Sequence, residues 1–207
     1  LAFAALLLFW GSIADRFGRR RILLIGIVLF IFASVWASFA TSDVTLIIAR
    51  IEQGIGGAMV LPTTLALVNA NFQGKERGIA FAVWGSTIGG MVAVGPVLGG
   101  WLATDFSWRW AFMINVPLGI IIAIGLLIFV KESKAEKVEG KIDYVGALIS
   151  MVMFSFLVFG LIEGRNFGWW NINVTRRFEI FGFKWPTEGI SVIPLVLAIS
   201  AAAFVAF

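Results

Sequence analysis

Hydrophobic and polar positions in this chain segregate into blocks rather than alternating. Uncharged apolar runs cover Ile22–Ser42, Gly78–Thr104, Trp110–Val130, Tyr144–Ile162 and Gly189–Phe207. A further run, Val44–Asn69, is interrupted only by Arg50 and Glu52. Each is close to the roughly 20 residues that a helix needs to cross a bilayer's hydrocarbon, and a stretch apolar on every side has no need of a wet face. The pattern predicts membrane-spanning helices joined by short polar segments. The opening LAFAALLLFW is too short to span. Its positive charges follow it, the reverse of a secretory leader, so it reads as the second half of a helix that starts upstream. The closing SVIPLVLAISAAAFVAF has no polar exit, and the chain reads as a fragment. Around Phe178–Lys184 polar and apolar residues alternate, which permits a short hairpin.

Composition agrees. Hydrophobic residues make up 60% and charged residues 14% of the chain, with a mean hydropathy of +0.97; soluble proteins carry about 25% charged residues. The sequence has neither cysteine nor histidine. Disulfide and thiolate chemistry are thereby excluded, and the commonest metal ligand and general base are missing. No span holds paired carboxylates, so nothing suggests an enzyme, a metal or a cofactor. The net charge of +4 lies in short segments between spans, which marks topology and no nucleic-acid partner.

Those segments alternate in charge. The first, third and fifth carry Arg16, Arg19, Arg20, Arg21, Lys75, Arg77, Lys131, Lys134, Lys137 and Lys141; the second and fourth carry only Arg109. The positive-inside bias places the odd segments in the cytoplasm. The sixth, about residues 163–188, holds four basic residues and follows the rule less well, as longer external stretches do. Trp101, Trp108, Trp110, Trp169, Trp170 and Trp185 fall at the predicted outer ends, where an interfacial belt belongs.

Three places carry candidate chemistry. Arg50 lies within LIIARIEQGIGGAMVLP, and a cation at a helix centre costs about 2.5–3.5 kcal/mol on insertion scales. It needs a polar interior or a partner, and helical spacing puts Gln53, Gly54, Gly57 and Leu61 on its side. A purely structural arginine paired across the bundle satisfies the same argument. Glu52 points elsewhere. In the segment GSIADRFGRRR, Asp15 and Arg19 are four apart and can pair if the turn is helical. Such a pair is worth only ~0–1 kcal/mol, suited to a gate that opens repeatedly. In GIAFAVWGSTIGGMVAVGPVLGGWL, Gly85, Gly89 and Ala93 permit close helix approach, Gly95-Pro96 invites a bend, and Gly99-Gly100 extends the seam.

In order and spacing these stretches resemble the major facilitator superfamily and, within it, the fourteen-span drug:proton antiporters. GSIADRFGRRRIL is similar to the signature segment between spans two and three at Gly11, Ala14, Asp15, Arg16, Gly18, Arg19, Arg20 and Leu23, with Ile13 in place of leucine. LIIARIEQGIGGA resembles the fourth-span motif at Leu46, Arg50, Gln53, Gly54, Gly56 and Ala58. GPVLGG resembles the antiporter motif of span five, with Met91 where a small residue is usual; SWRWAFMINVPLG and IDYVGALI resemble stretches of the fourteen-span branch.

The resemblance implies an all-α membrane protein, a partial major-facilitator-type bundle of spans two to six plus the linking pair seven and eight. Residues 1–130 would form the first bundle without its first span, 131–143 a cytoplasmic linker, and 144–207 two further spans joined by an outer segment at about 163–190. Asp143 would cap the first of that pair. The implied function is proton-coupled efflux of small, lipophilic or drug-like molecules across the cytoplasmic membrane by alternating access. Arg50, Gln53 and Gly54 would tune a proton site. Gly11, Asp15, Arg16, Gly18, Arg19 and Arg20 would form a cytoplasmic gate loop, and Gly95, Pro96, Gly99 and Gly100 a seam against leakage. The partners would be substrate, protons, lipid and the remaining half of the transporter. A superfamily member for sugars, amino acids or siderophores, or a non-transporting scaffold or sensor, fits the same residues.

Overall fold

The computed structural model describes residues 1–134, 143–172, 178–180, 183–186 and 189–207. The expected linker is therefore followed only at residues 131–134 and 143; Lys137, Lys141 and parts of the expected outer segment lie outside the described residues. Eight α-helices are described: α1 (Ala2–Phe17), α2 (Arg19–Ser38), α3 (Asp43–Asn71), α4 (Gly74–Trp101), α5 (Trp110–Met113), α6 (Asn115–Phe129), α7 (Tyr144–Phe167) and α8 (Val192–Ala206). A π-helical turn, Leu102–Phe106, extends α4. Five helical stretches are long and apolar enough to cross a membrane: Arg19–Ser38, Asp43–Asn71, Gly74–Phe106, Trp110–Phe129 and Tyr144–Phe167. They coincide with five of the six runs read from the sequence; the sixth, Gly189–Phe207, forms α8, a 15-residue helix shorter than a full span.

The connections are shorter than expected. Residues Gly11–Phe17, anticipated as part of an inter-span loop, are helical, because nothing in GSIADRF breaks a helix. The whole turn is made at Gly18, whose φ of 116° is rarely adopted by residues with a side chain. The third connection reduces to Phe72 and Gln73, with Gly74 (φ 53°) opening α4. Serine caps start two helices: Ser42 Oγ accepts from the Thr45 amide at 3.2 Å and Ser191 Oγ from the Ile193 amide at 3.3 Å. Asp143 caps α7 as expected, accepting from the Gly146 amide at 2.8 Å.

The chain divides into two compact units, Phe9–Gly140 and Leu1–Leu8 with Lys141–Phe207. In the first, α2 packs against α3 and α6. Where α2 meets α3, Gly26 and Gly56 face each other so closely that a Cβ on Gly56 would stand 2.8 Å from the Gly26 carbonyl oxygen. Ala33, Ala37, Ala49 and Ala58 are all buried nearby in sequence. Small residues let two backbones approach, which is how helices gain dispersion contact where lipid offers no hydrophobic drive. Leu23, Ile27, Leu67 and Leu126 form an aliphatic core, and Gly119 of α6 rests on Ile31.

In the second unit, α7 and α8 pack through Gly160 on Leu197, with Ser200 Oγ donating to the Met153 carbonyl at 2.9 Å. Phe159, Phe167 and Phe178 make an aromatic cluster. The hairpin read from the alternation is present: β1 (Glu179–Ile180) pairs antiparallel with β2 (Phe183–Lys184).

Candidate functional site

Arg50 stands in the eighth position of α3, about 10 Å along the axis from its first residue at 1.5 Å per residue. One turn on, on the same side, Gln53 meets it: Arg50 Nη1 donates to Gln53 Oε1 at 2.6 Å. Gln53 is only 4% exposed. Its Nε2 donates to Ser34 Oγ of α2 at 2.8 Å, and Asn115 Nδ2 of α6 donates to the same oxygen at 3.3 Å. Ser34, fully buried, passes its own proton to the Phe30 carbonyl at 2.7 Å. A chain of hydrogen bonds thus runs from a cation through an amide and a hydroxyl across three helices. Phe112 of α5 lies under the guanidinium at 5.6 Å, a cation–π contact, and Arg50 itself is exposed in this chain.

The arrangement has a physical logic. A guanidinium is always charged and needs acceptors, while a buried amide must satisfy both of its ends. Gln53 does both at once. Gly54, the third residue expected here, is half-buried one position on and carries no side chain for this chain of bonds. Ser34 and Asn115 went unnoticed in the sequence; each is a polar residue inside an apolar run, which was the available signal. Glu52 is half-buried with Oε2 occluded and without a hydrogen-bond partner among the described residues.

The second cluster surrounds Gly18. Asp15 Oδ1 receives both Nε and Nη2 of Arg19 at 2.8 Å, so the pair suggested by their spacing forms across the break. Asp15 is 40% exposed, which keeps the pair near the weak end of the scale. The larger anchor is Glu132, absent from the sequence reading. Its carboxylate accepts from the amides of Arg20 at 3.0 Å and Arg21 at 3.2 Å, the exposed donors of α2's first turn. Three successive arginines at a helix N-terminus oppose the macrodipole, and a carboxylate there compensates. Arg19 N also donates to the Ser133 carbonyl at 2.9 Å. Arg20 Nη2 reaches the Leu127 carbonyl near the end of α6 at 2.8 Å, where a cation suits the dipole. A Cβ on Gly18 would lie 2.7 Å from Glu132 Oε1. Gly11 lies against Pro62 of α3 at ordinary van der Waals distance, and Arg16 occupies the last turn of α1.

The third set, Gly95, Pro96, Gly99 and Gly100, lies on α4, which continues through Pro96 to Trp101. A Cβ at Gly95, Gly99 or Gly100 would meet nothing within 4 Å among the described residues. No described residue of α4 is buried. Its side-chain ties to α3 are Trp84 Nε1 to Thr64 Oγ1 at 3.3 Å and Arg77 Nη1 to Asn69 Oδ1 at 3.2 Å. Beside them an open, mainly apolar groove of about 680 Å³ is lined by Val68, Phe72, Ile79, Val83 and Trp84, with Glu76 at its margin.

The family model of the Major Facilitator Superfamily matches residues 1–207. The uncharacterized MFS-type transporter EfpA of Mycobacterium tuberculosis is 37% identical over 173 residues, 82% of this chain and 32% of the relative. Multidrug resistance protein Stp of the same species is 36% identical over 173 residues, 83% of this chain and 32% of its own length. The tetracenomycin C resistance and export protein of Streptomyces glaucescens is 33% identical over 170 residues, 82% of this chain and 31% of its length. The chain spans about a third of the length of these relatives.

Proposed function

This chain belongs to the Major Facilitator Superfamily, and on that premise we propose that it serves proton-coupled efflux of small, lipophilic, drug-like molecules across the cytoplasmic membrane by alternating access. A helical multi-pass membrane protein of this family moves small molecules, and the relatives' names speak of export and of resistance to antibiotics. The observation that carries the coupling is Arg50, a permanent cation within an apolar span, itself exposed in this chain and hydrogen-bonded to the buried Gln53. A charge so placed lowers the proton affinity of any carboxylic acid brought near it and releases that proton when the two separate. One charge moving through 100 mV yields about 2.3 kcal/mol, enough to bias the rocking of two bundles about a central site.

The Gly18 junction is the cytoplasmic gate in this reading. Its Asp15–Arg19 pair is weak and half wet, whereas Glu132 holds the helix end. The seam of Gly95, Pro96, Gly99 and Gly100 faces a helix from the remaining half of the transporter and limits leakage. Asn115, Ser34 and Gln53 lie behind Arg50 and shape the proton site with it.

The test uses a full-length transporter carrying this segment, reconstituted in liposomes with an imposed proton gradient. Arg50→Ala is expected to abolish gradient-driven export while the protein still inserts in the membrane. Normal export against a gradient by that variant would overturn the coupling role. If the wild-type protein moves neither substrate nor protons, the transporter reading itself fails and a scaffold or sensor takes its place.

A further inference from the structure

Ser34 has one proton to give and two lone pairs to offer, and the structure assigns all three. The Phe30 carbonyl can only accept, so the hydroxyl proton goes there, at 2.7 Å. What remains on Ser34 Oγ is acceptor capacity, filled by Gln53 Nε2 at 2.8 Å and Asn115 Nδ2 at 3.3 Å. At the other end of the Gln53 side chain stands Arg50, a group with donors and no acceptor. We infer that Ser34 is a positioning residue for Arg50: its saturated hydroxyl sorts the Gln53 amide so that only the carbonyl end faces the guanidinium, and Asn115 locks that sorting from α6.

The reverse amide orientation fails twice. It would set Nε2 against the guanidinium, two donors face to face, and Oε1 against the lone pairs of Ser34. In the observed orientation every member of the chain is matched, in a place where Gln53 is 4% exposed and Ser34 fully buried. Desolvation makes a mismatch expensive at the buried Gln53 and Ser34 end. Without Ser34 one of the two constraints disappears. The amide is then held by Arg50 alone and turns more freely about its last torsion, so the acceptor facing Arg50 no longer has a set position. With four rotatable bonds Arg50 swings toward its exposed side.

Among the described residues Arg50 has no ion pair. Between Ile22 and Ser38, α2 holds no charged residue, and the charged residues of α4 are Lys75, Glu76 and Arg77 in its first turn. Asp105 lies in the π-helical turn that follows, and Arg109, just before α5, turns its guanidinium to the Ala40 carbonyl and the Trp108 ring. The sorting is accordingly done by neutral groups, which leave Arg50's charge uncancelled. A carboxylate in Gln53's place would neutralise the very charge that the proposed coupling uses. This inference rests on the proposed role of Arg50, and it adds what fixes that residue's location.

The test compares Ser34→Ala in two backgrounds of the full-length transporter in liposomes, with turnover and KM measured separately. In the otherwise wild-type protein, turnover is expected to fall about tenfold, the size of one lost buried hydrogen bond, with KM unchanged. In a Gln53→Met background there is no amide to sort, and the charge of Arg50 is kept. There Ser34→Ala is expected to change turnover by less than about twofold, since the coupling between the two sites is gone. A merely structural serine would cost the same fraction in both backgrounds, and that result overturns the inference. So does wild-type turnover in Ser34→Ala, or a loss that follows a lowered melting temperature. Asn115→Ala supplies an independent arm from another helix: reduced turnover at unchanged KM is expected, and unaltered turnover removes Asn115 from the lock. Failure here remains distinguishable from failure of the proposed function. A dead Arg50→Ala beside a fully active Ser34→Ala sinks only the sorting role, whereas a fully active Arg50→Ala sinks both.

Discussion

At the scale of single residues, the two sites are governed by opposite requirements. Around Arg50 the need is for polar groups that match one another, and a single unmatched end is costly. Around Gly18 the need is for the absence of a side chain. Its φ of 116° strains any side chain, and a Cβ would also make the Glu132 carboxylate, 2.7 Å away, shift aside. Gly18→Ala is expected to destabilise the protein by about 1–3 kcal/mol, from backbone strain alone, read as a lowered midpoint in thermal unfolding in detergent. Gly26 is constrained differently: it is helical, and its limit is Met59 Cβ at 2.6 Å and the Gly56 carbonyl at 2.9 Å. Gly26→Val pushes α2 off α3 backbone against backbone. Its expected outcome is loss of folded protein on size-exclusion chromatography rather than a change in kinetics.

At the scale of elements, the charges needed for orientation conflict with the helix dipoles. Arg19, Arg20 and Arg21 open α2, and Lys75 and Arg77 lie in the first turn of α4, where positive charge is disfavoured. The fold answers with Glu132 on the first and Glu76 within the second. Glu132→Gln keeps an acceptor but removes the charge, so α2's first turn should fray, seen as faster amide exchange at Arg20 and Arg21 with the rest of α2 protected. Asp15→Asn has a different signature. The Asp15–Arg19 pair is partly wet, so thermal stability should fall by no more than ~1 kcal/mol, while transport turnover should drop far more. Equal loss of both would make the junction structural and nothing else. Asp143 belongs to the ordinary case: Asp143→Ala removes the cap on the Gly146 amide, an expected cost of ~1 kcal/mol to α7 stability.

At the scale of the whole molecule, burial is uneven. α2 lies packed between α3 and α6, whereas α4 offers Ile79, Val83, Met91, Val92 and Val97 to the surroundings. Such a face suits lipid or another helix. Glycines at 85, 89, 95, 99 and 100 suit a helix better than lipid, since small residues allow close approach and lipid chains require none. Gly99→Leu separates the two. Within this segment nothing obstructs the larger side chain, so membrane insertion should be unchanged. In a full-length transporter the same substitution should raise passive proton leak, measured by the decay of an imposed gradient. Unchanged leak would leave α4 as a lipid-facing helix and the seam unfilled.

The sequence alone determined which segments form helices long and apolar enough to cross a membrane and which side chains follow one another on a helix face. Each of these follows from local order: about 20 uncharged residues leave a backbone no alternative to a helix in hydrocarbon, and spacings of three or four place side chains on one face. Gln53 beside Arg50 was legible for the same reason. The Asp15–Arg19 pair expected on a helical turn forms instead across the break at Gly18. Tertiary structure decided everything that joins distant stretches: Glu132 on the end of α2, Ser34 and Asn115 behind Gln53, Gly26 against Gly56. It also fixed the bend at Gly18, because the tie that holds it comes from more than a hundred residues away. Hydrogen-bond partners across helices depend on register and rotation of whole elements, quantities that no run of neighbouring residues contains.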